Sequence, residues 1–266
     1  MTRESGDGAA TEWFLRRANG VATTMTSGDS TYLDAADLSN SRIAVGTDTH
    51  FQSASDWIPW SYSHGTVTKL SVSNDLLLYE AVAVNDDGVI VGARHGDISA
   101  AGVVEYINNV VVWADANAAP TNLSVPPIRP LVYSVGGRSL VDVSARGVVT
   151  AIVTDANDGD PALARWSAAG ELLSQRPLPD GFRGTAVGGR WVVGSGPTGA
   201  VVSGPRTLLS VTTTDDSLAR LSGVTAQGIY FGVAEPHLTD GERPFFVGQA
   251  HAVSPRLVEF DAQRFV

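Results

Sequence analysis

The sequence predicts an all-β fold, a single-domain β-propeller built from four-stranded blades. Short runs of Val, Ile, Thr and Trp, each bounded by Gly, Asn, Asp or Pro, occupy the 266 residues from end to end. Five of these runs also align with one another as a strand, a polar turn and a second strand. A second hairpin, usually with an aromatic strand, follows each of them. Such four-stranded sheets are apolar on both faces, so radial stacking is what buries them.

The five aligned segments predict the first hairpin of each blade. They are ADLSNSRIAVG (36–46), AVAVNDDGVIVG (81–92), VDVSARGVVTA (141–151), TAVGGRWVVG (185–194) and SGVTAQGIYFG (222–232). Gly88, Gly147 and Gly228 stand four residues before the terminal small residue. We expect a positive φ there, which glycine adopts without strain.

The second hairpins predict the outer strands of the blades. They read DWIPWSYSHGTVTKLSV, VVVWADANAAPTNLSV, ALARWSAAGELLSQRPL, GAVVSGPRTLLSV and PFFVGQAHAVSPRLVEF. Trp60, Trp113 and Trp166 recur in one strand position and are predicted core residues. Gly46 and Gly232 lie 186 residues apart over four intervals, a mean of 46.5, which is close to the length of a propeller blade.

The number of blades stays open at this stage. The N-terminal EWFLRRANGVATTMT resembles a second hairpin without its first, so the chain holds five and a half blades. The propeller then has either six positions with one incomplete, or five blades plus an extra N-terminal hairpin. We assign residues 1–12 to a disordered or extended segment and 13–266 to the propeller domain.

One segment is similar to a known repeat. AVAVNDDGVIVG followed by VVVWADANAAPTNL resembles the HAF-type probable extracellular repeat, in which a strand, an Asn-Asp-x-Gly turn, a Val-Val-Gly strand and a Trp strand recur. Ala151 replaces the terminal Gly in the third segment, and the fourth unit lacks the Trp strand. The resemblance implies a propeller-like fold and a secreted or surface protein, and it implies little chemistry.

Composition removes several classes of function. The absence of Cys excludes disulfides, Cys-based zinc sites and thiol catalysis. A net charge of -10, from 28 acids and 18 bases, disfavours nucleic acid as a partner. No apolar run reaches the roughly 20 residues that cross a bilayer, so we expect no membrane insertion. Without a secretory leader, we expect a cytoplasmic protein if the chain is complete and an extracellular one if it is a mature product.

Five polar residues share one position, four residues before an aligned apolar residue of each first strand. We call it the entry position, and its residues are Asp34, Glu80, Ser139, Arg183 and Arg220. In a propeller these residues ring the mouth of the central channel. The arginines would then bind a carboxylate, phosphate or sulfate, and the acids would bind hydroxyl groups. The alternative is that the acids and arginines neutralise one another across the channel.

Loops on the same face supply further candidates. His50, His95 and His237 each have an aspartate two or three residues away, in GTDTHFQ, ARHGDIS and AEPHLTDGE. Imidazole and carboxylate groups can bind a ligand or a divalent metal. In the loop DANDGDP, Asp155, Asn157, Asp158 and Asp160 surround Gly159 and approach the pattern of oxygen-rich calcium loops, one residue short of an Asp-x-Asn-x-Asp-Gly run. It lacks the closing glutamate, so a plain turn is the alternative and no cofactor is required.

These features lead to two expectations of function. The first is a non-enzymatic interaction module that binds a protein or carbohydrate partner through one loop-rich face. The second is a glycoside hydrolase or lyase that acts on an acidic sugar, with Asp34 and Glu80 as its carboxylate pair. We expect a monomer, or an oligomer in which the unpaired N-terminal hairpin joins a neighbouring chain.

Overall fold

The computed structural model describes residues 2–3, 12–16, 22–25, 33–49, 57–73, 77–100, 103–123, 130–132, 134–135, 138–155, 161–197, 199–205, 207–211, 218–235 and 245–250. Its strands, in chain order, are β1 (Thr2–Arg3), β2 (Glu12–Arg16), β3 (Ala22–Met25), β4 (Leu33–Leu38), β5 (Ala44–Thr49), β6 (Trp57–Ser63), β7 (Thr66–Lys69), β8 (Leu78–Val84), β9 (Ile90–Ala100), β10 (Val103–Trp113), β11 (Thr121–Asn122), β12 (Pro130–Val132), β13 (Ser134–Val135), β14 (Arg138–Ser139), β15 (Val141–Val143), β16 (Val149–Asp155), β17 (Ala162–Trp166), β18 (Leu172–Pro177), β19 (Arg183–Gly188), β20 (Trp191–Gly196), β21 (Gly199–Ser203), β22 (Leu208–Val211), β23 (Leu218–Val224), β24 (Ile229–Glu235) and β25 (Phe245–Gln249). In the described part of the chain, no helix has the length and apolar character needed to cross a membrane.

The chain divides into two compact units. The N-terminal unit comprises Met1–Ser124, Ala145–Gly147 and Ala168–Glu171, and the C-terminal unit comprises Val125–Ser144, Val148–Ser167 and Leu172–Val266. The N-terminal unit contains two four-stranded antiparallel sheets, β4–β7 and β8–β11, and the three-stranded sheet β1–β3. The C-terminal unit contains the four-stranded sheet β19–β22, the sheet β15–β18 with β12 as a fifth strand, the three-stranded β23–β25 and the pair β13–β14. The prediction of an all-β fold with four-stranded sheets is confirmed.

Each predicted first hairpin is an antiparallel strand pair. The pairs are β4–β5, β8–β9, β15–β16, β19–β20 and β23–β24. The N-terminal segment also forms a hairpin, β2–β3, with β1 on its free edge. Four second hairpins are formed as β6–β7, β10–β11, β17–β18 and β21–β22. The last residues of the fifth lie outside the described part of the chain.

The turns of four first hairpins use the same hydrogen bonds. In each, the side-chain oxygen of the first turn residue accepts the backbone N–H four residues later, at 2.9 to 3.2 Å. The acceptors are Ser39, Asn85, Ser144 and Thr225. The predicted positive φ is confirmed at 84°, 72° and 79° for Gly88, Gly147 and Gly228, and Arg42 takes the same position at 66°. Short polar side chains therefore close these hairpins, as they do in Asx and ST turns.

Consecutive sheets pack through apolar side chains on both faces. From the sheet β19–β22, Val192 and Val201 pack with Ile152 and Leu163 of the sheet β15–β18. The alternating residues on the other face pack against the sheet β23–β25, where Leu221, Val224 and Tyr230 lie. Trp60, Trp113 and Trp166 are 1%, 0% and 0% exposed, which confirms their core role. A strand buried on both faces loses its polar alternation, and this explains runs such as WVVG.

Candidate functional site

The residues at the entry position lie where first strands begin. Asp34 and Glu80 belong to β4 and β8 of the N-terminal unit, while Arg183 and Arg220 belong to β19 and β23 of the C-terminal unit. Ser139 differs, because it lies in the two-residue strand β14 rather than in β15. Four of the five residues therefore lie at equivalent positions, near the start of a first strand.

A β-bulge follows the entry position in those four strands. The register shifts between Ala35 and Asp37 in β4, and at the equivalent residues of β8, β19 and β23. The bulge presses the backbone carbonyl of the entry residue against the terminal glycine of the hairpin. A Cβ at Gly92 would overlap the Glu80 carbonyl oxygen, and one at Gly194 would overlap that of Arg183. Bulges bend a strand and re-aim side chains, and they are frequent beside functional sites.

The third hairpin explains why the bulge requires glycine. Val141 pairs directly with Ala151 and β15 pairs with β16 without a register shift. No displaced carbonyl occupies the space above Ala151, so a methyl group fits. This segment can end in Ala151 rather than Gly because its strand pair has no bulge.

Two neighbouring strands bring the acidic entry residues close together. Asp34 pairs with Thr47, whose side-chain oxygen accepts the backbone N–H of Ala81 at 3.1 Å. Ala81 directly follows Glu80, so the hydrogen bond between β5 and β8 lies next to the backbone of both Asp34 and Glu80. The Glu80 side chain is buried at 5% exposure. The side chain of Asp34 lies outside the described part, and the pairing of the two carboxyl groups stays a prediction.

The arginine entry residues are joined in a similar way. Thr185, two residues after Arg183, donates its hydroxyl to the carbonyl of Leu221 at 3.0 Å, and Leu221 directly follows Arg220. Both arginine side chains are exposed, whereas Ser139 is buried at 3% exposure. This bond from the Thr185 side chain to a backbone carbonyl joins β19 to β23, and each of these two strands carries an exposed arginine near its start. Neither their binding of a ligand nor the alternative of mutual neutralisation is tested by this arrangement.

The segment around His95 was predicted as a loop and is part of a strand. The strand β9 continues to Ala100, so His95 and Asp97 lie inside it, opposite Asn108 and Tyr106 of β10. The His95 ring meets Trp57 edge to face, with 5.0 Å between ring centroids. Burial lowers the pKa of His95 below its ordinary value, so its neutral imidazole predominates near neutral pH.

Of the remaining loop candidates, the structure describes Asp48 and Asp155. His50, His237 and Asp240 lie outside the described residues, and Asp48 is a buried residue of β5. Asn157, Asp158 and Asp160 also lie outside, while Asp155 ends β16 opposite Pro130. Among the described residues, no three metal-ligating side chains form a cluster. The calcium loop stays a prediction.

Two aspartates that connect neighbouring sheets were missed by sequence reasoning. Asp37 accepts the N–H of Val84 at 2.9 Å, and Asp142 accepts the N–H of Gly189 at 2.8 Å. Each bond spans 47 residues, which is close to the mean spacing of the aligned segments. One feature of the sequence could have indicated them: in two of the five segments, an Asp directly precedes the aligned apolar residue of the first strand.

Comparisons with known proteins add information on the fold alone. No protein-family model matches the chain, and no curated protein matches it. A solved prolyl endopeptidase, from a study of two such enzymes and their inter-domain dynamics, is similar with a TM-score of 0.61 and 9% identity. The match covers 97% of this chain and 39% of that chain. Because that enzyme has a β-propeller domain, the sheets and the similarity together support a propeller-like fold.

Proposed function

We propose that this chain is a non-enzymatic β-propeller interaction module that binds a protein or carbohydrate partner through the face where its first strands begin. The observation that carries the proposal is the pair Arg183 and Arg220, both exposed and both at the entry position of adjacent strands. The chain has a net charge of -10, so two neighbouring guanidinium groups differ in sign from the overall charge of the protein. A guanidinium group binds carboxylate or sulfate through two parallel hydrogen bonds.

The partner is therefore expected to carry acidic groups beside hydroxyl groups. Arg183 and Arg220 of the C-terminal unit bind the acidic groups in this proposal, and Ser139 of the same unit accepts hydroxyl or amide hydrogens. In the N-terminal unit, we propose that Asp34 and Glu80 accept such hydrogens. We also propose that His50, His95 and His237 contribute to ligand binding. An acidic oligosaccharide or an acidic peptide has this combination of groups.

The proposal includes the arrangement of blades. The hairpins form five blades, and the N-terminal hairpin β2–β3 occupies an incomplete sixth position or packs as an addition to a ring of five. If that hairpin completes a neighbouring chain, the protein is an oligomer that shares strands. The mass in solution distinguishes this arrangement from a monomer.

A second candidate is a glycoside hydrolase or lyase. It is favoured by the burial of Glu80 beside the strand that carries Asp34, because a buried carboxylic acid is suited to proton transfer. Retaining hydrolysis requires about 5–5.5 Å between the carboxyl groups, and inversion requires about 6.5–9.5 Å. Release of reducing ends or of unsaturated uronates, abolished by Glu80→Gln, would favour this candidate.

The binding proposal is tested with immobilised uronic-acid oligosaccharides and glutamate-rich peptides as probes. We expect the wild type to bind one of these classes. The double variant Arg183→Gln/Arg220→Gln should weaken that binding about tenfold or more, because charged hydrogen bonds are lost. Arg190→Gln, at the other end of β19, is the matched control and should bind as the wild type does. Equal binding by the double variant, or no binding by the wild type, would contradict the proposal.

A further inference from the structure

A row of polar side chains crosses the sheet β15–β18. Asp142 pairs with Thr150, Thr150 with Arg165, and Arg165 with Ser174. Residues directly opposite one another in an antiparallel sheet project from the same face. The four side chains therefore lie in one line on one face.

The turn between β19 and β20 lies against this row. Gly189 donates its backbone N–H to Asp142, and the next residue in the turn is the exposed Arg190. The bond to Asp142 therefore places Arg190 at the end of the row to which Arg165 belongs, and the two arginines come from neighbouring sheets.

Two donors in the row have no hydrogen-bond partner. They are the hydroxyl of Thr150, which is 1% exposed, and Nε of Arg165, and both atoms are buried. Burial, followed by the charge of Arg190, lowers the pKa of Arg165. A buried donor without an acceptor and a cation beside a like charge both raise the free energy of the folded state.

A third arginine shares the face. Arg176 pairs with Leu163, two residues from Arg165, and donates from Nη1 to the Ser203 hydroxyl at 2.8 Å. Its Nη2 is buried and has no hydrogen-bond partner. Unused guanidinium donors thus recur at two places where the sheets β15–β18 and β19–β22 meet.

We propose that Thr150, Arg165 and Arg190 form a binding site for a phosphate or sulfate group, which we call the arginine cluster. A doubly charged oxyanion accepts the free hydrogens of Thr150 and Arg165 and separates the two like charges. The site is distinct from the entry-position face. Arg183 begins β19, whereas Arg190 follows its end.

The test measures the melting temperature in inorganic phosphate and in sulfate at constant ionic strength. We expect a rise of about 2–4 °C when the anion exceeds its dissociation constant several-fold, and the rise should grow further with the logarithm of the anion concentration. Arg190→Gln should lose this rise. Arg42→Gln, which changes an exposed arginine in the turn between β4 and β5, should retain it. The general stabilising effect of these salts is common to all three proteins and is removed by the comparison.

Two further measurements separate the possible outcomes. In buffer without oxyanions, Arg190→Glu should melt above the wild type, because it replaces the repulsion of Arg165 by attraction. Phenyl phosphate compared with inorganic phosphate distinguishes an esterified group from the free anion. The proposal is overturned if neither anion raises the melting temperature of the wild type above that in chloride at the same ionic strength, if Arg190→Gln retains the rise, or if Arg183→Gln alone loses it. The last result would assign anion binding to the entry-position face.

Discussion

A single carboxylate, that of Asp37, connects two sheets of the N-terminal unit. Its Oδ2 accepts the backbone N–H of Val84, the apolar residue that ends β8. Both groups are partly buried, so removing the acceptor leaves an N–H with little access to water. A side chain outside the apolar core therefore contributes to the stability of the sheet pair.

We expect Asp37→Ala to lower the free energy of unfolding by about 1–2 kcal/mol, since a partly buried N–H loses its acceptor. Urea unfolding measures this. Asp87→Ala is the matched control, because Asp87 is an exposed turn residue of the adjacent hairpin, and its loss should be smaller. Equal losses would show that the bond to Val84 contributes nothing.

Asp86 joins the turns of the first two hairpins. Its carboxylate accepts the N–H of Asn40 at 2.7 Å and that of Ser41 at 3.2 Å, and it also accepts the amide of the Asn40 side chain. The side-chain bond from Asn40 contributes most to lowering the pKa of Asp86 below its ordinary value of 3.8. A lowered pKa means that the folded state favours the ionised carboxylate.

This shift predicts a dependence of stability on pH. The contribution of Asp86 is present above the pKa it has in the unfolded chain and is lost as the pH falls through the lower pKa of the folded state. Asp86→Asn should therefore melt below the wild type at neutral pH, and the difference should shrink as the pH falls below about 4 and vanish only below the lowered pKa of the folded state. Melting curves across this range measure it, with Asp87→Asn as the control. A difference that persists undiminished into acid would contradict the prediction.

At the level of the strand pair, the β-bulge determines which residue can end a first hairpin. The carbonyl of Glu80 leaves room only for glycine at position 92, whereas the unbulged pair Val141 and Ala151 leaves room for a methyl group. The bulge also turns the strand just after the entry position. One irregularity of the backbone thus accounts for the preference for glycine at the end of this hairpin.

Exchanging these two residues tests the role of the bulge. Gly92→Ala should cost about 3 kcal/mol, because the new Cβ meets backbone that cannot move aside. Ala151→Gly should cost only about 1 kcal/mol, through the greater conformational freedom of glycine. Chemical denaturation of both variants measures the difference. Similar costs would mean that the bulge does not constrain position 92.

The same strand pairs show what the sequence can predict. Turn residues such as Asn85 and Gly88 act locally, so the hairpins follow from the sequence alone. Burial of the entry residues depends on neighbouring sheets, and Glu80 is buried while Arg183 is exposed at the same position. The extension of β9 through His95 depends on pairing with β10, and the polar sequence did not indicate it. The arginine cluster also requires two sheets, so no local pattern revealed it.

In the C-terminal unit, consecutive sheets pack in chain order. The two proposed sites of this unit lie at opposite ends of its strand β19. In the C-terminal unit, the beginning of β19 carries Arg183 for the proposed ligand face, and the turn after it carries Arg190 for the proposed oxyanion site. A strand rises about 3.3 Å per residue, so the five steps from Arg183 to Gly188 separate the two ends of β19 by about 17 Å.

The proposed function requires that Arg183 and Arg220 lie near the start of neighbouring first strands on one face. The absence of Cys makes paired spin labels straightforward to introduce, at Arg183→Cys with Arg220→Cys and, as the control, at Arg190→Cys with Arg220→Cys. Electron paramagnetic resonance should show strong dipolar broadening for the first pair and much weaker broadening for the second. Equal broadening in the two pairs, or stronger broadening in the control, would contradict the arrangement on which the proposed function rests.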